Sequence, residues 1–176
     1  MKIVAFGAST SSTSINKTLA TYAANMVEGA HIKVLNLNDY DVPLFSEDKE
    51  KEIGQADKAK TFLLDIAQAD ALVISFAEHN GSYAAAYKNL FDWATRIERN
   101  VFADKPALYL STSPGPGGAA SVLAAATASA PYFGAQVKAS LSVPNFYDNF
   151  DLGLKKLTNP SLNEELKYAV AKLSLD

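Results

Sequence analysis

Short apolar runs alternate along this chain with stretches whose apolar residues recur every three or four positions. Lys2–Phe6 is a brief run that ends at Gly7 and predicts a buried strand. Ser14 then precedes Ile15, Leu19, Tyr22, Ala23 and Met26, the spacing of one helix face, and Gly29 stops that helix. His31–Leu37 predicts a second strand through Ile32, Val34, Leu35 and Leu37, and Asn38–Lys51, with Pro43 and several charges, predicts a loop. A helical stripe over Ile53–Ala67 passes through Ala56, Ala59, Phe62, Leu63 and Ile66. Ala71–Phe76 is apolar except for Ser75, as in a strand covered on both faces. The pattern then predicts a helix over Ser82–Ile97, a strand over Ala107–Leu110, an alanine-rich helix over Ala119–Ala130 and a fifth strand over Val137–Val143. Pro144–Lys156 predicts a long loop whose aromatics, Phe146, Tyr147 and Phe150, pack on something. Pro160 and Ser161 introduce a last helix through Leu162, Leu166, Val170 and Leu173.

Strand and helix thus alternate throughout, which implies parallel strands joined by crossover helices on both faces of one sheet. The 176 residues suit a single domain over 1–176, with no internal repeat and no interdomain linker. Composition narrows the chemistry. No cysteine is present, which excludes disulfides, thiolate zinc sites and iron–sulfur clusters and leaves any redox work to an organic cofactor. His31 and His79 are the only histidines, so no histidine-rich metal centre is expected. A net charge of −3 without a basic cluster offers nothing to nucleic acid, and no run approaches a membrane span. The stretch before Gly7 is too short for a signal peptide, so a first strand and a cytoplasmic address are expected.

In such sheets ligands sit beyond the carboxyl ends of the strands, where the winding reverses. Three loops there have unusual composition. Gly7–Asn16 carries Ser9, Thr10, Ser11, Ser12, Thr13 and Ser14 before a helix, a good anion cradle. The same residues also suit an ordinary capped helix behind a serine-rich turn, and composition leaves both open. The loop is neither a Walker sequence nor a spaced-glycine dinucleotide fingerprint. Ala77–Ser82 contains the turn pair Asn80-Gly81, with Ser82 able to cap the next helix. Its exposed amides can meet a heterocycle edge, or form a plain turn. Ser111–Gly118 places three glycines within four positions, which suits a close backbone approach to a flat group or a flexible turn. Jointly, the three would line one crevice, one loop suited to phosphate and two to a planar polar ring.

At these positions the chain resembles the NAD(P)H-dependent FMN reductase family, which includes quinone, azo-dye and chromate reductases. Ala8-Ser9-Thr10-Ser11-Ser12-Thr13-Ser14-Ile15-Asn16 is similar to that family's Gly-Ser-x-Arg-x-x-Ser-x-Asn. Ala77-Glu78-His79-Asn80-Gly81-Ser82, followed by Tyr87-Lys88-Asn89-Leu90-Phe91-Asp92-Trp93, resembles its Pro-Glu-Tyr-Asn-Gly-Ser and Leu-Lys-Asn-x-x-Asp-Trp. Ser113-Pro114-Gly115-Pro116-Gly117-Gly118 resembles its Ser-x-Gly-x-x-Gly-Gly, and Asp41–Phe45 its proline loop after the second strand. The resemblance implies a flavodoxin-like α/β fold, a doubly wound five-stranded parallel sheet of order 2-1-3-4-5 with helices on both faces. It implies FMN as cofactor and NAD(P)H as co-substrate. Ser9, Ser11, Ser14, Ile15 and Asn16 would lie at the phosphate. Glu78, His79, Asn80, Gly81 and Ser82 would border the isoalloxazine ring, and Ser113, Gly115 and Gly118 its other side. Lys88 and Asp92, four apart on a helix, are placed to pair. Ser11 stands where the family has arginine, which removes a charge-assisted phosphate contact of about 1.5–3 kcal/mol. His79 replaces a tyrosine and Ala77 a proline.

The expected activity is hydride transfer from NAD(P)H through FMN to a small acceptor such as a quinone, free flavin, azo compound or metal oxyanion. The flavin carries the chemistry, which agrees with the absence of an acid–base triad, and no protein residue is assigned as catalytic. The alternative is a flavodoxin-type electron carrier with a protein partner; the −3 charge and the lack of glycine after Gly7 in the first loop weigh against it. A phosphoreceiver would need an acidic cluster where Gly7-Ala8-Ser9 stands. The resemblance further implies a homodimer or homotetramer, with Tyr40–Phe45 and Phe146–Phe150 as candidate contact surfaces or simply core covers.

Overall fold

The computed structural model describes residues 1–174; Leu175 and Asp176, the end of the expected domain, lie outside the described residues. The first half of the chain forms β1 (Lys2–Ala8), α1 (Ile15–Ala24), β2 (His31–Val34), α2 (Glu47–Ile53), α3 (Asp57–Ala67), β3 (Ala71–Phe76) and a small pair, β4 (Glu78–His79) and β5 (Ser82–Tyr83). The second half forms α4 (Ala85–Ile97), β6 (Lys105–Thr112), α5 (Ala120–Ser129), β7 (Ala135–Val143), α6 (Phe146–Asn149), the pair β8 (Phe150–Asp151) and β9 (Lys156–Leu157), and α7 (Pro160–Ala171).

The central sheet has the order β2-β1-β3-β6-β7 and is parallel throughout. Counted among these five strands alone, that is 2-1-3-4-5, as the resemblance implied. Position explains strand composition. Every residue of central β3 is buried, whereas edge strand β7 alternates between covered and open positions. Two apolar layers flank the sheet. On one face Phe6, Phe76 and Tyr109 pack against Phe62 of α3 and Tyr87 and Trp93 of α4. On the other, Ile3, Val73 and Leu110 meet Leu19 and Ala23 of α1 and Leu166 and Val170 of α7.

Four expectations need correction. Asn38–Lys51 is not all loop: a 3₁₀ turn spans Leu37–Tyr40 and α2 follows Ser46, whose Oγ accepts from Lys49 N at 3.0 Å. The stripe over Ile53–Ala67 is broken at Gly54, whose φ of 74° ends α2, so α3 starts at Asp57. No residue of α2 is buried, so hydrophobic periodicity could not reveal it. Ser82 does not cap α4; it pairs with His79 across a two-residue turn, and α4 follows Ala84 without a side-chain cap. Asn80 (φ 53°) and Gly81 (φ 76°) supply the left-handed pair that such a hairpin requires. Finally, Pro144–Lys156 holds α6 and the β8–β9 pair rather than one loop. Phe146 and Phe150 are buried there, stacked at 4.9 Å, while Tyr147 stays exposed. The other proposed contact segment also covers core: Tyr40 is buried and Phe45 meets the Trp93 ring edge-on at 5.2 Å.

At Gly7 the backbone of α1 lies directly against β1. A Cβ there would lie 2.3 Å from Lys17 N and 2.7 Å from Lys17 Cα, so backbone rather than a pliable side chain occupies the space. Gly7→Ala is expected to destabilise the fold by at least about 1–3 kcal/mol, the ordinary cost of overpacking, in urea unfolding. An unchanged midpoint would contradict this close approach.

Candidate functional site

The loops after β1, β3 and β6 leave the sheet at one level, because Ala8, Phe76 and Ser111 stand in register across the three strands. They form the carboxyl edge of the sheet, where the candidate residues lie.

In the first loop, Ser14 is the N-cap of α1, and its Oγ accepts from Lys17 N at 3.1 Å. Its O–H proton remains free to donate. Ser9 Oγ accepts from Ser11 N at 3.1 Å, curling the loop, and Asn38 Nδ2 donates to Thr10 O at 3.1 Å, tethering it to the turn after β2. Ser11 is exposed. At the helix start, the main-chain N–H groups of Ile15 and Asn16 have no intrahelical acceptor, and the macrodipole favours an anion before them.

The Asn16 side chain has another task. It is 4% exposed and points into the protein. Its Oδ1 accepts from Ser75 Oγ at 2.7 Å and from Thr112 N at 3.1 Å, while its Nδ2 donates to Thr112 O at 3.1 Å. One amide thus bolts the start of α1 to β3 and β6. Of the Asn16 groups, the main-chain N–H alone faces the role expected at a phosphate.

The second loop is the β4–β5 pair. His79, Asn80, Gly81 and Ser82 are exposed on it. Glu78 differs: it is half-buried, and its Oε2 accepts from Val122 N, in the first turn of α5, at 2.8 Å. Ala119, the N-cap of α5, makes no side-chain cap bond, so this distant carboxylate fills that place and joins the second loop to the third.

The third loop is pinned from beneath. Ser111 Oγ and Ser142 Oγ both donate to Gly118 O, at 2.7 and 2.8 Å. Gly118 has φ 58°, and a Cβ there would stand 2.2 Å from Ser142 Oγ. Ser113 Oγ donates to Gly115 O at 3.1 Å, which also receives Asn145 N at 2.9 Å. The structure therefore brings all three candidate loops to one edge. It assigns Asn16, Glu78 and Gly118 bracing tasks that composition did not reveal.

Lys88 and Asp92 pair at 2.7 Å. Within the same signature, Asn89 Nδ2 donates to Pro43 O at 3.0 Å and Trp93 Nε1 to the same oxygen at 2.7 Å, while Asn89 Oδ1 accepts from Phe45 N at 2.8 Å. Asn89 and Trp93 thus hold the proline loop.

Lys155 is not legible in the sequence as a neighbour of the first loop. A groove of about 590 Å³ runs from Ser12–Ile15 along α1 to Tyr147, Phe150 and Leu152, and both Lys17 and Lys155 line it. Neither lysine has an ion-pair partner among the described residues. Lys155 lies far along the chain from the first loop, so no local motif signals it. No carboxylate lies within Ser9–Asn16, and two lysines stand nearby. Free amides, hydroxyls and unpaired cations fit a phosphate dianion even with Ser11 in place of arginine.

A doubly wound sheet of this order, with its polar loops at the carboxyl edge, defines a flavodoxin-like protein. Matching over residues 1–148, the chain belongs to the NADPH-dependent FMN reductase family. It is 32% identical over 122 residues to an NADPH:quinone oxidoreductase of Arabidopsis thaliana, covering 67% of this chain and 61% of that protein. It is also 32% identical over 116 residues to an NAD(P)H-dependent FMN reductase of Pseudomonas aeruginosa, covering 65% and 61%. The match thus spans 61% of the length of each of these relatives. In structure it is similar to FerB, a flavoenzyme NAD(P)H:(acceptor) oxidoreductase of Paracoccus denitrificans. That likeness has a TM-score of 0.74 at 24% identity and covers 98% of this chain and 94% of that one. An FMN-dependent NADH-azoreductase of Bacillus anthracis, solved with FMN, gives a TM-score of 0.65 at 14% identity over 99% and 100% of the two chains. At these identities the structural likenesses establish the fold.

Asn16→Leu keeps the number and branching of side-chain heavy atoms but strands Ser75 Oγ and the Thr112 amide in the interior. Each unsatisfied buried group costs about 1–3 kcal/mol, so urea unfolding should shift well beyond the effect of Ser75→Ala, which removes one of three bonds. Equal shifts for the two variants would contradict the clamp.

Proposed function

We propose that this chain is an FMN-dependent reductase that passes hydride from NAD(P)H to a small acceptor, with 1–176 acting as a single FMN-binding domain. The observation that carries the reading is the hydroxyl- and amide-lined start of α1, held by Asn16 level with the two other loops. Bound there, FMN would supply a ring that accepts and returns hydride, chemistry that no side chain of this protein offers. Ser9, Ser11 and Ser14 would give hydroxyls to the phosphate and Ile15 and Asn16 their main-chain N–H groups. Lys17 and Lys155 would supply charge from the adjoining groove. Glu78, His79, Asn80, Gly81 and Ser82 would border one side of the ring, with Glu78 keeping that hairpin against α5. Ser113, Gly115 and Gly118 would shape the other side, Gly118 through the turn it permits rather than its occupied carbonyl.

Quinones are the acceptor class that the Arabidopsis relative's name favours. The same reading includes a cytoplasmic location, where reduced nicotinamides are available, and no helix among the described residues is long and apolar enough to cross a membrane. It also includes a homodimer or homotetramer. Leu44, 83% exposed, and Tyr147, 59% exposed, are apolar surface that a second subunit would cover.

Anaerobic mixing of the FMN-loaded protein with NADPH or NADH tests the activity. Rapid loss of the yellow flavin absorbance, restored by a quinone, is the expected result. FMN uptake without nicotinamide oxidation would contradict the reductase and leave a flavodoxin-type carrier.

A further inference from the structure

A second cavity, of about 370 Å³, lies between α4 and α5 on one face of the sheet, and none of its lining residues belongs to the candidate crevice residues of the three loops. Phe76, Phe91 and Phe102 form much of its wall. Tyr83, Tyr87 and Tyr109 converge on it as well, with the rings of Tyr83 and Tyr87 5.5 Å apart and that of Tyr109 5.0 Å from Phe76. Tyr87 and Tyr109 are 3% and 1% exposed. Among the described residues only the hydroxyls of Tyr22 and Tyr40 form tyrosine side-chain hydrogen bonds, so those lining this cavity are unmatched. None of these hydroxyl oxygens is itself shut off from solvent, so each is open to a guest in the cavity, and an apolar cavity with a few convergent polar groups is the usual form of a small-molecule site.

From this geometry we propose that the cavity binds a flat, neutral, one- or two-ring aromatic molecule bearing a hydroxyl or carbonyl oxygen. The volume falls in the range of small-ligand pockets, about 300–1,000 Å³. Aromatic walls offer edge-to-face contacts to a planar ring. The occupant is neutral because Lys88 at the rim is already paired with Asp92, which leaves a charged guest without a counterion. Burial first, and neighbouring tyrosines (Tyr109 and Tyr83 for Tyr87, Tyr83 for Tyr109) second, raise both hydroxyls above the ordinary tyrosine range, so each stays protonated and can donate to an oxygen. This inference does not rest on the redox reading.

Isothermal titration of the FMN-saturated, oxidised full chain with 2-naphthol and with 2-methylnaphthalene tests it. We expect one saturable 2-naphthol site per chain, with affinity about tenfold above that of the methyl isostere, as one or two neutral hydrogen bonds supply. The double variant Tyr87→Phe, Tyr109→Phe should lose that preference. Ala125→Phe, placed on the exposed wall, should abolish binding while leaving FMN uptake and the thermal melt unchanged. Absence of saturable binding, equal affinity for both probes, a preference that survives the double variant, binding that survives Ala125→Phe, or displacement of 2-naphthol by FMN would each overturn the proposal. Should FMN itself fail to bind, the reductase reading falls and the same titration of the cofactor-free chain is still expected to show 2-naphthol binding.

Discussion

One buried amide organises the carboxyl edge of this sheet. Asn16 sits at the first turn of α1, yet its side chain reaches Ser75 on β3 and both main-chain groups of Thr112 on β6. All three of its bonds are made inside the protein, where an unsatisfied amide would be expensive. The consequence is positional. The anion-ready start of α1 cannot drift relative to the loops after β3 and β6, so a ligand spanning all three meets a prepared surface. Gly7 makes the clamp possible by letting the α1 backbone approach β1 without a Cβ between them.

The other two loops are secured by the same logic with different atoms. Glu78 bridges the β4–β5 hairpin to the first turn of α5, and two serine hydroxyls converge on the Gly118 carbonyl. Each device satisfies a main-chain group that would otherwise be orphaned at a helix start or in a tight turn. Asn89 and Trp93 do likewise for the proline loop after β2. Conformational order is thus built in beneath the three loops, while Ser11, His79, Asn80 and Ser82 remain exposed on them.

Much of this was legible in the sequence, for identifiable reasons. The apolar run Ala71–Phe76 and the stripes of α3 and α7 follow from burial, which periodicity reports directly. Asn80-Gly81 announced a tight turn because few other pairs adopt its dihedrals. What failed lacked a local signal. Helix α2 buries nothing, and its charged residues read as loop. The β8–β9 pair is only two residues per strand, too short for alternation to register. Of the site, the loops were visible in composition, but the inward turn of Asn16 and the reach of Glu78 to Val122 are contacts between distant segments, and Lys155 only shares a groove with α1. Spacing along a chain does not encode them.

The proposed function depends on phosphate capture at the start of α1 despite Ser11. Equilibrium dialysis comparing FMN with riboflavin isolates the phosphate, since the two differ in that group alone. FMN is expected to bind at least about a hundredfold more tightly, as two charge-assisted hydrogen bonds would supply. Equal affinity for the two flavins would contradict it.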